Sequence, residues 1–277
     1  MSAGSEFKQH ELAGWDAKAS AYGDYIAKVT VQAVDRLLEA AGVTRGTKLL
    51  DVATGPGYVA GAAKALGASP LGIDFAPAMV ATARKNYPTV EFREGDAEAL
   101  EFADETFDAV ICAFGIGHVS DPDQAVREVF RVLRPGGRYA FSWWCSPDKH
   151  EFFALVQGAV KAHGNPNVPL PSAPPNFRFS DPQECKRVLA IAGFKDVQTH
   201  ECVPVYTPSS PQEVLDLIYK STVRTALVLE RQTDEARQRI NQAIIDAAVR
   251  HQRGGDFKIT WPANVASGRK PQEVESL

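Results

Sequence analysis

No run in this sequence approaches the roughly 18 uninterrupted apolar residues of a membrane-spanning helix, so no membrane span is expected. Cysteine is scarce. Cys112, Cys145, Cys185 and Cys202 lie far apart and form no Cys-x-x-Cys pair, which indicates neither a zinc site nor a disulfide framework and fits a reducing, cytoplasmic setting. A basic block is missing too: 30 Lys and Arg are interspersed with 34 Asp and Glu for a net charge of −4, which argues against nucleic acid as the principal partner. No internal repeat occurs, no metal is expected, and the one biased tract is the proline-rich stretch at 165–178.

What is present is enough apolar material for one large core: 44% of 277 residues are hydrophobic. The stretch "GSEF" at 4–7 reads equally as a cloning junction or as a natural flexible terminus. Ile26, Val29, Ala33, Val34, Leu37, Leu38 and Ala41 recur at helical spacing and predict one amphipathic helix closed by Gly42. Short β-rich runs then alternate with helical ones: "TKLLDVA" (47–53), "PLGIDF" (70–75), "TVEFREGD" (89–96), "FDAVICAF" (107–114) and "GRYAFSWW" (137–144), with helices at 58–66, 77–86 and 121–133 between. That rhythm predicts βαβ units, and "AVICAF", apolar on both faces, suits a central parallel strand. "RPGG" at 134–137 marks a tight turn before the fifth strand. The core is expected to be a doubly wound, Rossmann-like α/β sheet.

After Trp144 the rhythm changes. A helix near 149–163, a proline-rich loop, a helix capped by Ser180 and ending at Gly193, and a strand at about 196–206 precede two helices over 211–252 and a final strand at about 257–268. Two strands are thus joined through a helical insertion.

The chemistry is concentrated in "LLDVATGPGYVAG" (49–61), a strand that ends in an acid and enters a glycine-rich turn. "GPGYVA" (55–60) fits the dinucleotide pattern Gly-x-Gly-x-x-Ala, with Asp74 at the end of the next strand to take ribose hydroxyls. A pyrophosphate there would face the negative charge of Asp51, so the acid favours a cationic or neutral ligand.

"LDVATGPG" resembles the first motif of the class I S-adenosylmethionine-dependent methyltransferases, of the type that includes the ubiquinone and menaquinone biosynthesis methyltransferases. Ala53 stands where that family most often has a glycine. "GIDFAPAMVATAR" (72–84), "EGDAEALEFADETFDAV" (94–110) and "VREVFRVLRPGGRYAF" (126–141) are similar to the motifs that follow, in order, so the resemblance covers about 15–145. It implies a seven-stranded sheet with an added helical lid. The chain then divides into entry helices (1–45), a cofactor-binding core (46–145), a segment completing the core (146–210), a helical lid (211–255) and a final strand with its tail (256–277).

The resemblance also implies S-adenosylmethionine as cofactor, with S-adenosylhomocysteine as product. Asp51 would face the methionine end beside Ala53, Thr54, Gly55 and Gly57, and Asp74 would accept both ribose hydroxyls. Phe75 and Met79 would pack on adenine, while Asp96 and the backbone of Ala97 would read its edge. Ala113 and Phe114 would line the methionine arm, with Tyr22 of the entry segment over the cofactor. Cys112, inside an apolar strand, reads as a buried structural thiol.

A sulfonium methyl is already activated, so the protein must chiefly align the acceptor and exclude water. If a proton must leave a phenol, an acidic carbon or an amine, His118 in "FGIGHVSD" is the candidate base; if the acceptor is an alkene, aromatic faces would steady the developing cation. Tyr25, His118, Trp143 and Trp144 are the expected acceptor-binding residues, with only one of the two tryptophans able to point inward because they alternate along a strand. Leu215, Ile218, Thr222, Leu227 and Leu229 would furnish an apolar wall; Arg224, Arg231, Arg237 and Arg239 could receive an anionic group, but surface ion pairs with Glu230, Asp234 and Glu235 are the better reading. The leading expectation is methylation of carbon or oxygen on a small hydrophobic or aromatic metabolite; the sequence leaves the oligomeric state open, with lid and entry helix as the surfaces through which a second copy of the chain could pair as a homodimer. Two alternatives stay open: an NAD(P)-dependent oxidoreductase, for which no Tyr-x-x-x-Lys follows the sheet, and a non-catalytic S-adenosylmethionine-binding protein.

Overall fold

The computed structural model describes residues 3–272; expectations for the remaining terminal positions, including the end of the tail, lie outside the described residues. The chain opens with a helix, α1 (Ala3–Lys18), so 4–7 is helical where the sequence suggests a flexible terminus. Phe7 and Glu11, one turn apart, are 2% and 0% exposed, which puts that face of α1 against the molecule. The periodicity over 26–41 predicts one helix; the chain forms two, α2 (Ala27–Thr30) and α3 (Val34–Ala40), with a 3-10 turn at Val31–Ala33 between them. Three β-branched residues in succession, Val29, Thr30 and Val31, tighten the helix there. The apolar spacing survives the break, since Val29, Ala33 and Leu37 are all fully buried.

The sheet contains β1 (Lys48–Val52), β2 (Ser69–Asp74), β3 (Glu91–Glu94), β4 (Phe107–Ala113) and β5 (Leu133–Trp144), with α4 (Tyr58–Ala65), α5 (Pro77–Asn86) and α6 (Pro122–Val132) between them. "RPGG" does not precede β5 but bulges within it: pairing jumps from Leu133 opposite Phe107 to Arg138 opposite Ala109. Helix α7 (Glu151–His163) and helix α8 (Pro182–Ile191) lead to β6 (Lys195–Cys202). The cap of α8 is Asp181, which accepts from the Gln183 N–H; Ser180, the expected cap, instead donates its hydroxyl to the Phe177 carbonyl.

Prolines divide the strands expected at 196–206 and 257–268. Pro204 ends the first, leaving β7 (Val205–Tyr206) outside the main sheet. The insertion follows as three helices, α9 (Pro211–Ser221), α10 (Arg224–Glu230) and α11 (Asp234–Val249), and a small hairpin of β8 (Gln252–Arg253) and β9 (Asp256–Phe257). A third helix arises because Thr222 is extended and interrupts the first. Then β10 (Ile259–Thr260) pairs antiparallel with β7 and closes the insertion, and after Pro262 the last strand, β11 (Ala263–Arg269), joins the main sheet.

Strand order is β3-β2-β1-β4-β5-β11-β6, seven strands, with β11 antiparallel to both its neighbours and the first five strands parallel. The chain winds outward from β1 to β3 and returns to β4 on the other side of β1, so a crevice opens at the carboxyl ends of β1 and β4. Leu49, Leu50, Val110, Ile111 and Ala140 fill the core between the helical layers at 0% exposure. No helix among the described residues is long and apolar enough to cross a membrane.

Candidate active site

Three residues at the crevice hold left-handed backbone angles: Ala53 (φ +54) and Gly55 (φ +52) after β1, and Phe114 (φ +55) after β4. For the two that are not glycine this costs about 1–2 kcal/mol each. Such strain on both sides of the crevice indicates that the turns are shaped for a ligand rather than for stability. A Cβ built on Gly55 would meet nothing within 4 Å, so the backbone there is open to close approach.

Asp74, at the end of β2, lines this cleft and is 5% exposed. Its Oδ2 accepts the Gly55 N–H at 2.8 Å and its Oδ1 the Ala76 N–H at 3.0 Å. Burial pushes its pKa up to about 6, against the opposing pull of those N–H groups and of His118. Asp51 is placed differently from the sequence expectation: it is fully buried beneath the turn and is not part of the cleft lining. Its Oδ2 accepts the Thr54 hydroxyl at 2.6 Å and the Ala60 N–H in the first turn of α4 at 3.1 Å, so it ties turn to helix. Oδ1 has no partner among the described residues, and burial raises the pKa to about 7. Thr54 and Gly57 belong to the same support. Gly57 (φ +88) starts α4 where a Cβ would lie 2.8 Å from the Phe92 ring.

Phe75, Met79, Ala113, Phe114 and Tyr22 line the cleft with Asp74; Tyr22 remains a phenol, since burial pushes it up to about 12. A side hollow continues past Phe75 to Asp96, Ala97, Glu98 and Val119, and Lys8 of α1 reaches across it to pair with the Asp96 carboxylate.

On the other side the cleft widens into an aromatic chamber, and together they leave a cavity of about 110 Å³. Both Trp143 and Trp144 line it, against the expectation that only one faces inward. The chamber wraps the end of β5, so side chains from either face of the strand reach it. Trp144 stacks on Phe114 with centroids 4.0 Å apart, and Trp143 donates its indole N–H to the Asn176 carbonyl at 2.7 Å. His118 lies edge-on to Trp15 (4.8 Å) and Trp143 (5.1 Å), with Nδ1 2.8 Å from Oε2 of Glu11. The same oxygen accepts the Trp15 indole N–H at 3.0 Å. Gly117 makes room here: a Cβ on it would lie 2.1 Å from the Trp143 ring.

Several expected positions move elsewhere. Tyr25 is outside the lining; its hydroxyl accepts from Lys220, and Lys28 and Lys220 both sit over its ring. Leu215, Ile218 and Leu229 are core residues, and of the expected wall only Thr222 lines the chamber. Arg237 pairs with Asp234 on the surface, but Arg224 turns inward to the chamber. Sequence reasoning missed Glu11, Phe152, Phe153 and Trp261, and set Arg224 among the surface ion pairs. Glu11 and Trp15 at helical i,i+4 spacing were the available signal, hidden because α1 carries no continuous apolar stripe.

A family model described as a methyltransferase domain matches residues 50–141. The chain is 36% identical over 180 residues to the demethylmenaquinone methyltransferase of Thermus thermophilus, covering 59% of this chain and 79% of that protein. It is 49% identical over 94 residues to the same-named protein of Chlorobaculum parvum, where the match spans 34% of this chain and 39% of the relative's length. Among solved structures, the YcgJ protein of Bacillus subtilis superposes with a TM-score of 0.59 at 21% identity, over 87% of this chain and 99% of that one. A phosphoethanolamine N-methyltransferase 2 of Haemonchus contortus, solved with S-adenosyl-L-methionine, gives 0.52 at 20% identity, over 87% of this chain and 53% of that one. These superpositions agree with the class I Rossmann-like fold that the strand order shows, and with the extent of the Thermus match they lead to one assignment: the chain belongs to the demethylmenaquinone methyltransferase family of class I S-adenosylmethionine-dependent methyltransferases.

Proposed function

We propose that the protein transfers a methyl group from S-adenosylmethionine to carbon or oxygen of a small hydrophobic or aromatic acceptor, with His118 as the base. One observation carries this reading: the cleft beside Asp74 is continuous with an aromatic chamber, and His118 lines both that space and the side hollow toward Asp96. The cofactor fits the residues present, because an acceptor-only carboxylate and an open left-handed turn lie side by side at the crevice. Asp74 would hold the ribose hydroxyls, Phe75 and Met79 the adenine face, Asp96 and Ala97 its edge, and Ala113 and Phe114 the methionine arm. Asp51 acts through the turn it secures. When bound, the cofactor supplies a methyl group on a sulfonium, which needs no further activation.

The chain's own residues then orient the acceptor and take its proton. Trp143, Trp144 and Phe114 give flat apolar walls that exclude water. With Nδ1 donating to Oε2 of Glu11, His118 would present its lone pair on Nε2. Glu11 is thus a positioning residue for the base.

Calorimetry with S-adenosylmethionine, S-adenosylhomocysteine and NAD, followed by turnover on a metabolite panel read by mass, tests the proposal. Demethylmenaquinone, which the relatives' name carries, heads that panel. Binding of both sulfur nucleosides and gain of one methyl group on an acceptor are expected; binding of NAD alone would overturn the reading in favour of an oxidoreductase. Binding with no turnover on any acceptor would leave a cofactor-binding protein without catalysis. With an acceptor in hand, His118→Ala should lower kcat by about 10²- to 10⁴-fold with cofactor affinity kept, and Glu11→Gln should lower kcat more than it raises KM. An unchanged kcat in His118→Ala removes the base.

A further inference from the structure

We propose that Arg224 binds a carboxylate carried by the acceptor, at the end remote from the atom that is methylated; this rests on the methyltransferase reading. Arg224 is the first residue of α10 and lines the aromatic chamber on one side and a second groove, beneath the proline-rich loop, on the other. Phe153, Asn176 and Thr225 line both spaces as well, so these four residues form the passage between them.

The guanidinium is under-used where it stands. It has five N–H donors, yet among the described residues it makes one hydrogen bond, Nη1 to the Pro174 carbonyl at 3.2 Å, besides lying over the Phe7 ring at 5.9 Å. Among the described residues no carboxylate lies within ion-pairing distance of it. Other arginines show the contrast: Arg178 holds Asp123 through two nitrogens and Glu184 through a third, and Arg131 holds Asp104 and Glu128. Burial depresses the Arg224 pKa from its ordinary value, with only the field of Glu11 opposing. Glu11 already serves Trp15 and His118. A half-buried cation with idle donors in a ligand chamber is unfavourable until an anion arrives.

A single planar fork matches a carboxylate, which it can grip with two parallel hydrogen bonds; a phosphate dianion asks for more positive charge than this passage offers. Apolar surroundings set the rest of the molecule: an aromatic body between Trp143, Trp144 and Trp261, with the acid pointing at the passage.

The test compares matched pairs, 2-naphthoate with 2-naphthamide and indole-3-acetate with indole-3-acetamide, titrated by calorimetry into the full chain saturated with S-adenosylhomocysteine. Each acid should bind about 10- to 100-fold more tightly than its amide. Arg224→Gln should abolish that preference while amide affinity and S-adenosylhomocysteine affinity stay unchanged, and Arg224→Lys should keep part of it. Acid and amide binding alike to the wild type, neither binding, or a preference that survives Arg224→Gln would each overturn the assignment. Failure of S-adenosylhomocysteine to bind the wild type would instead strike at the methyltransferase reading, so the two failures are told apart.

Discussion

Asp51 and Asp74 carry their charge where water hardly reaches, and burial raises them to about 7 and about 6. A positively charged nucleoside favours the ionised forms, so its binding must expel protons. S-adenosylmethionine affinity is therefore expected to rise between about pH 5 and about pH 8, with proton release near neutrality detected by calorimetry in buffers of different ionisation heat. The same shifts act on stability with a definite sign. A carboxyl whose folded pKa exceeds its unfolded one contributes fully below the unfolded value, near 3.8, and loses that contribution as pH rises through about 7 for Asp51. Asp51→Asn keeps an oxygen for Thr54 and Ala60 and puts its amide nitrogen at the unpartnered Oδ1. The free protein should then melt about 3 °C or more above wild type at alkaline pH, corresponding to roughly 1 kcal/mol, with the gap closing in acid. A gap that does not change with pH would refute the linkage.

Helix α1 matters at the next scale, because it brings Glu11 and Trp15 to His118 and Lys8 to Asp96. Lys8 occupies a carboxylate that is proposed to read the adenine edge. Lys8→Ala should tighten S-adenosylmethionine binding by about two- to threefold, the scale of a half-exposed ion pair, and calorimetry reads the change directly. Weaker binding would show that the lysine assists. The alternation of β1 to β5 with helices was legible because "LLDVA" and "AVICAF" are apolar on both faces, which only a covered parallel sheet accommodates. Breaks imposed by Pro204 and Pro262, and the helical nature of 3–18, were less so. A missing N–H cuts a strand only once its neighbours are known, and α1 buries Phe7 and Glu11 amid charged residues that mask its face. At the site, the turn and the ends of the strands announce themselves locally. Arg224 and Trp261 meet the chamber, and Glu11 meets His118 behind it, from distant parts of the chain, and no local pattern joins them.

Over the whole molecule, the chamber is assembled from the parallel sheet on one side and the insertion between β7 and β10 on the other. Ligand that binds the folded form alone must stabilise both together. At about 100 times its dissociation constant, S-adenosylmethionine should add roughly 2.7 kcal/mol and raise the melting temperature by several degrees, while NAD at equal concentration leaves it unmoved. Scanning calorimetry or a dye-monitored melt checks this, and an equal rise with NAD would contradict it.

The strand order has a consequence for how the molecule is made. Among the described residues β6 pairs with the main sheet only through β11, which is synthesised after the entire insertion. As the nascent chain leaves the ribosome, β5 ends in an open, tryptophan-bearing margin and β6 waits unzipped until the later strand slips between them. During that interval the unfinished edge is open to pairing with a neighbouring chain, so the growing polypeptide is the form most in need of a chaperone.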